Sequence, residues 1–92
     1  MNITQLVSLI RHSIPETSAI YIFGSFGTPY ERSDSDLDVA VLGNQKIDLD
    51  TRIILTSKLM ALSHKNSVDL IDLRNAPPLL KKQIIFEGQL VY

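Results

Sequence analysis

Apolar residues recur at helical spacing from the start of the chain: Ile3, Leu6, Val7, Leu9 and Ile10, with Ile14 continuing the stripe. Asn2 followed by Gln5 suits an N-terminal capping box, and Pro15 stops a helix predicted over 3–13. The pattern then changes. Ala19-Ile20-Tyr21-Ile22-Phe23 has no polar residue, which predicts a strand buried on both faces. Residues 24–35 hold Gly24, Gly27, Pro29 and three serines, which is loop chemistry. Leu37 to Leu42 predicts a second strand, broken by Gly43-Asn44. Asp48 or Asp50 can cap a helix over 49–64, with Leu49, Ile53, Ile54, Leu59, Met60 and Leu62 as its apolar stripe. Ser67 to Leu73 reads as a third strand. Pro77-Pro78 opens a third helix over 78–87, Gly88 follows as a natural C′ residue, and 89–92 suits an edge strand.

This order predicts one α/β (α+β) domain over 1–92, a small mixed β-sheet flanked by helices. A full helix separates the second and third strands, so they suit a parallel crossover. The first two are joined only by a loop, so an antiparallel pair is open to them. The sheet is therefore mixed rather than doubly wound.

Composition narrows the function. The chain has 92 residues, no cysteine, nine basic residues against ten acidic ones and a net charge of −1. Disulfides, thiolate metal sites and a cysteine nucleophile are excluded. The balance lacks the basic excess of a direct nucleic-acid binder. No apolar run approaches the roughly 18–20 residues that span a bilayer, and the N-terminus lacks a signal peptide's basic region. The expected setting is the cytoplasm, without a membrane.

One feature of the composition is uneven: three of the seven aspartates lie within residues 34–38. Asp36 and Asp38 are two apart in a strand, so their side chains share a face. Two carboxylates held that close call for a cation, and hard oxygen ligands suit Mg²⁺ with substrate phosphates. Gly24-Ser25 leaves the first strand at a sharp turn where a backbone can approach an anion closely. Asp69 lies in the apolar run VDLIDL, where an ionised carboxylate is costly unless paired or liganded. Beside the second strand, it reaches the same place as Asp36 and Asp38. Three carboxylates and a Gly-Ser loop are the parts of a two-metal nucleotidyl transfer site.

Gly-Ser, ten residues, then Asp-x-Asp resembles the signature of nucleotidyltransferases related to DNA polymerase β. The short chain is similar to their minimal nucleotidyltransferase subgroup from Ile20 to about Tyr92. The resemblance implies the nucleotidyltransferase fold and an antitoxin that transfers AMP from ATP to a tyrosine of a HEPN-domain RNase toxin. It implies that Asp36 and Asp38 hold two Mg²⁺ ions, that Asp69 completes the site and helps deprotonate the acceptor, and that Gly24 and Ser25 hold the β- and γ-phosphates. A hetero-oligomer with the toxin follows. Family loops often read Gly-Ser-x-Ala-x-Gly, whereas here Gly27 and Pro29 stand at the corresponding positions, and Pro29 removes an N–H.

Other conspicuous residues have plainer readings. Asp34 reads as a solvated loop carboxylate. Asp72 competes with Asp69, but the two fall on opposite faces of one strand, and the family pattern favours Asp69. His12 and His64 suit helix C-termini. Leu79, Leu80, Ile84, Ile85 and Phe86 are expected in the core. The alternative function is a non-catalytic antitoxin that senses nucleotide and neutralises the toxin by binding.

Overall fold

Strand alternation sorts the apolar residues of this chain onto two faces of one sheet. The computed structural model describes residues 2–24, 29, 32 and 36–92. In chain order they form α1 (Ile3–Ser13), β1 (Ala19–Phe23), β2 (Leu37–Leu42), α2 (Leu49–Ser63), β3 (Val68–Asp72), α3 (Pro78–Glu87) and β4 (Gln89–Leu90). The strand order is β3-β2-β1-β4. β1 runs antiparallel to both β2 and β4, while β2 and β3 are parallel, the arrangement that the helical crossover between them suits.

The first face is the main core. Ile20 and Ile22 of β1, Leu37, Val39 and Val41 of β2 and Leu70 of β3 pack there against Leu6, Ile10 and Ile14 and against Leu55 and Leu59 of α2. The second face carries Tyr21, Phe23, Ala40 and Ile71, over which α3 lays Leu80 and Ile84. One helix covers this face incompletely, so Tyr21 and Phe23 are half-buried and β1 is not fully enclosed on both sides. That leaves room on the second face for polar side chains.

Backbone pairing reaches slightly beyond the strands. The amide of Leu37 donates to the Ser67 carbonyl, and that of Leu73 donates to the Val41 carbonyl. Ile20 pairs with Val91 and Tyr92 in the same way, continuing β4 towards the chain end. The Arg11 guanidinium sits 4.4 Å above the ring of Tyr92, a cation–π contact that ties this segment to α1.

Caps follow the sequence closely at two helices. The Asn2 side chain accepts from the amides of Thr4 and Gln5 at 2.7 and 3.4 Å. Asp48, not Asp50, caps α2 by accepting from Thr51 N at 2.8 Å. α2 closes on His64, whose φ of 58° is left-handed.

Three expectations need correction. The buried stripe of α2 is Leu55, Leu59 and Ser63, whereas Leu49, Ile53 and Ile54 are exposed. Apolar residues surround this helix, so spacing alone does not choose the face; the crossover geometry does. On α3 only Ile84 is buried, and Leu79, Ile85 and Phe86 are exposed because a single sheet face can take only one side of the helix. Gly88 is not left-handed: its φ is −77°. A Cβ there would lie 2.5 Å from the Ile84 carbonyl oxygen, so close approach rather than turn chemistry requires glycine.

Asp72 is buried at 6% exposure and has a structural role. One carboxylate oxygen accepts from Ile47 N at 2.9 Å and the other from Arg74 N at 3.1 Å. It therefore anchors the segment before α2 to the end of β3. Asp72→Ala orphans a buried amide and is expected to lower unfolding free energy by about 2–3 kcal/mol. Asp69→Ala, on an exposed residue of the same strand, is expected to change it by less than about 0.5 kcal/mol. Urea titration of the two variants checks the contrast.

Candidate active site

The second face gathers the candidate residues at one end of the sheet. β2 and β3 are paired in register, and Asp38 stands directly opposite Asp69. Neighbouring strands lie about 4.8 Å apart, and residues opposite one another in a parallel pair project to the same side. Asp36 precedes Asp38 by two residues and is exposed at the rim. Phe23 is the antiparallel partner of Asp38, so β1 ends beside the same carboxylate.

Gly24 completes this corner. Its φ is +77°, a conformation that L side chains rarely adopt. A Cβ added there would lie 2.3 Å from Asp38 Oδ2. The Asp38 carboxylate thus rests against bare backbone, a contact only glycine allows. Ser25 and Asp34 lie outside the described residues.

Electrostatics agree with the geometry. Burial, then the charge of Asp69, then that of Asp36 push the Asp38 carboxyl above its ordinary value. Asp38 thus sits on a rim where it feels the charge of both neighbouring carboxylates. Among the described residues, no three acidic or imidazole groups close into a metal-ligating cluster. The donor set is hard oxygen throughout, which fits Mg²⁺ in type and suits a metal that shares its coordination with phosphates and water.

Asp72 does not join them. Strand alternation sends it to the α1/α2 side, where backbone amides occupy both its oxygens. His12 lies in the last turn of α1 and His64 is the residue that closes α2, so both meet the expectation of helix C-termini. A cleft of 780 Å³ between Lys46–Leu49, Arg52 and Asn75 opens at the opposite end of β3, past Asp72. It is remote from the carboxylates. A smaller cleft of 370 Å³ adjoins Gly24 and is lined by Phe23, Leu80, Gln83, Ile84 and Glu87. Gln83 and Glu87 escape the sequence reading; their spacing of four on a helix is the signal that could have found them.

A mixed four-stranded sheet with paired carboxylates beside a glycine corner defines a nucleotidyltransferase domain. The family model described as polymerase beta nucleotidyltransferase matches residues 4–92, and the chain belongs to that family. Among known proteins it is similar to the protein adenylyltransferase MntA of Shewanella oneidensis, 36% identical over 89 residues. That match takes in 97% of this chain but 63% of MntA, slightly under two thirds of its length. Solved structures agree. A toxin–antitoxin complex with AMP-PNP superposes with a TM-score of 0.90 at 34% identity, covering 100% of this chain and 73% of that one. A tri-AMPylated Shewanella oneidensis HEPN toxin in complex with its MNT antitoxin gives 0.81 at 33%, covering 98% and 68%.

Two outcomes test this corner. Gly24→Ala is expected to cost about 1–2 kcal/mol from its backbone conformation alone, and more from the clash with Asp38. In an Asp38→Ala background the second part disappears, so a double-mutant cycle is expected to show coupling of about 1 kcal/mol. Additive losses would show that Gly24 and Asp38 do not touch.

The raised Asp38 value also has a sign. The folded state holds this proton more tightly than the unfolded state, so the stabilisation is full below the ordinary value of 3.8 and is lost as pH rises through the folded value. In metal-free buffer, wild type is expected to lose stability relative to Asp38→Asn as pH rises above 3.8. Thermal melts of both proteins across acidic pH measure the difference, and parallel curves would contradict it.

Proposed function

We propose that this chain is a Mg²⁺-dependent adenylyltransferase that moves AMP from ATP to a tyrosine of a HEPN-family toxin, and so acts as its antitoxin. The observation that carries this reading is the pairing of Asp38 with Asp69 on one face, with Asp36 and Gly24 at the same rim. The names of the similar proteins support the substrate and partner: an adenylyltransferase, an AMP-PNP complex and an AMPylated HEPN toxin.

Each residue has a distinct task. Asp36 and Asp38 would hold the metal, two ions by the family pattern, and Asp69 would complete the set. Bound Mg²⁺ supplies positive charge that offsets the carboxylates and the developing charge on phosphate oxygens. Gly24, with Ser25, presents backbone to the β- and γ-phosphates. Asp69 accepts the proton of the tyrosine hydroxyl as its oxygen attacks the α-phosphorus. The bond from α-phosphorus to the bridging oxygen breaks, and pyrophosphate leaves. The new bond joins AMP to the tyrosine oxygen. The setting that goes with this reading is the cytoplasm, where ATP is supplied.

The test combines the chain, ATP, Mg²⁺ and the HEPN-domain protein encoded beside it, followed by intact mass measurement. An AMP-sized gain on a tyrosine is expected. Asp36→Asn with Asp38→Asn is expected to slow transfer by at least about 100-fold. EDTA is expected to stop it while the far-ultraviolet circular dichroism stays unchanged, because the main core is apolar. Toxin neutralised without any mass gain would replace this reading with the binding-only antitoxin.

A further inference from the structure

The cleft beside Gly24 has a shape and chemistry to which the residue roles above assign no task. Its walls are apolar: Phe23 from the end of β1, with Leu80 and Ile84 from α3. Its rim is polar, made by Gln83 and Glu87, both exposed and four residues apart on the same side of α3. At 370 Å³ it stands near the lower end of the roughly 300–1,000 Å³ typical of small-molecule pockets. That space admits a flat bicyclic ring and not a whole nucleotide. Gly24 is its shared wall with the carboxylate rim, since the backbone that rests on Asp38 also lines the cleft.

We propose that this cleft is a base-recognition subsite for a purine bearing an exocyclic amine, with Gln83 and Glu87 as specificity-determining residues. The inference rests on the nucleotidyltransferase reading above. The apolar walls take the ring faces, which gain from leaving water. Glu87 is acceptor-only when ionised and takes the amine hydrogens. Gln83 carries both a donor and an acceptor, so its amide reads the ring nitrogen next to that amine. A carboxylate and an amide one helical turn apart form a donor–acceptor pattern that a base without the amine leaves half unpaired.

Calorimetric titration of the full chain with Mg²⁺ tests this, using ATP, GTP, ITP, UTP and base-free tripolyphosphate. ITP keeps the bicyclic ring but has no exocyclic amine, and UTP keeps neither. ATP, GTP or both are expected to bind at least about tenfold more tightly than ITP and UTP, the scale of one lost charge-assisted hydrogen bond. ATP and GTP tell which amine is read. Glu87→Ala and Gln83→Ala, both exposed on the helix, are each expected to close most of that gap and leave tripolyphosphate affinity unchanged. Equal affinity for ATP, GTP, ITP and UTP overturns the subsite while tripolyphosphate binding keeps the active-site reading alive. A gap that survives both variants places recognition elsewhere and also overturns it. Failure of every triphosphate, tripolyphosphate included, removes the reading on which the subsite rests, and the subsite with it.

Discussion

The parallel pairing of β2 with β3 is the constraint on which the rest depends. It sets Asp38 against Asp69 across one inter-strand spacing. A slip of one residue would turn Asp69 into the main core and bring Leu70 to the rim. The apolar side forbids that slip. Leu37, Val39 and Val41 alternate with Asp38 and Ala40, and burial of the first set holds the second in place. The like charges repel, and the hydrophobic face overrides the repulsion. Stability is thus supplied on one side of the sheet and chemistry presented on the other.

Asp69 and Asp72 show how far local position decides the fate of a side chain. They are the same residue type in one five-residue strand. Parity sends Asp69 to the rim, exposed, and Asp72 beneath α2, buried and filled by two amides. Burial without a partner is costly for either. Asp72 meets its need within the fold, and Asp69 leaves its carboxylate turned to solvent beside Asp38 and Asp36.

Much of this is legible in the sequence. The first two strands are visible because their β-branched runs end at Gly24 and Gly43, the third because it alternates, and the helix between the second and third suits a parallel pair. The Asp-x-Asp spacing placed two carboxylates on one face through the two-residue period of a strand. What failed to show was which side of α2 and α3 is buried. Both helices carry apolar residues all round, as Ile53 beside Leu55 and Ile85 beside Ile84 illustrate, so periodicity left several faces equivalent. Only the sheet's position resolves that choice. The cleft rim is harder to see: the spacing of four between Gln83 and Glu87 stands in the sequence, but it acquires meaning only when α3 is laid over the end of β1.

Gly24 and Gly88 extend the point to the backbone. Each is a glycine because another group comes too close for a Cβ, the Asp38 carboxylate in one case and the Ile84 carbonyl in the other. Gly88 lets the chain leave α3 directly into the strand that pairs with β1. Gly24 lets β1 end against the charged rim. Both contacts bear on β1, so the strand between them is located by β4 at one edge and by the Asp38 corner at its end. Of the two close approaches, the one at Gly24 keeps the carboxylate against bare backbone, and the one at Gly88 brings the end of α3 to β1, where a Cβ would also meet the Ile22 carbonyl oxygen at 3.4 Å.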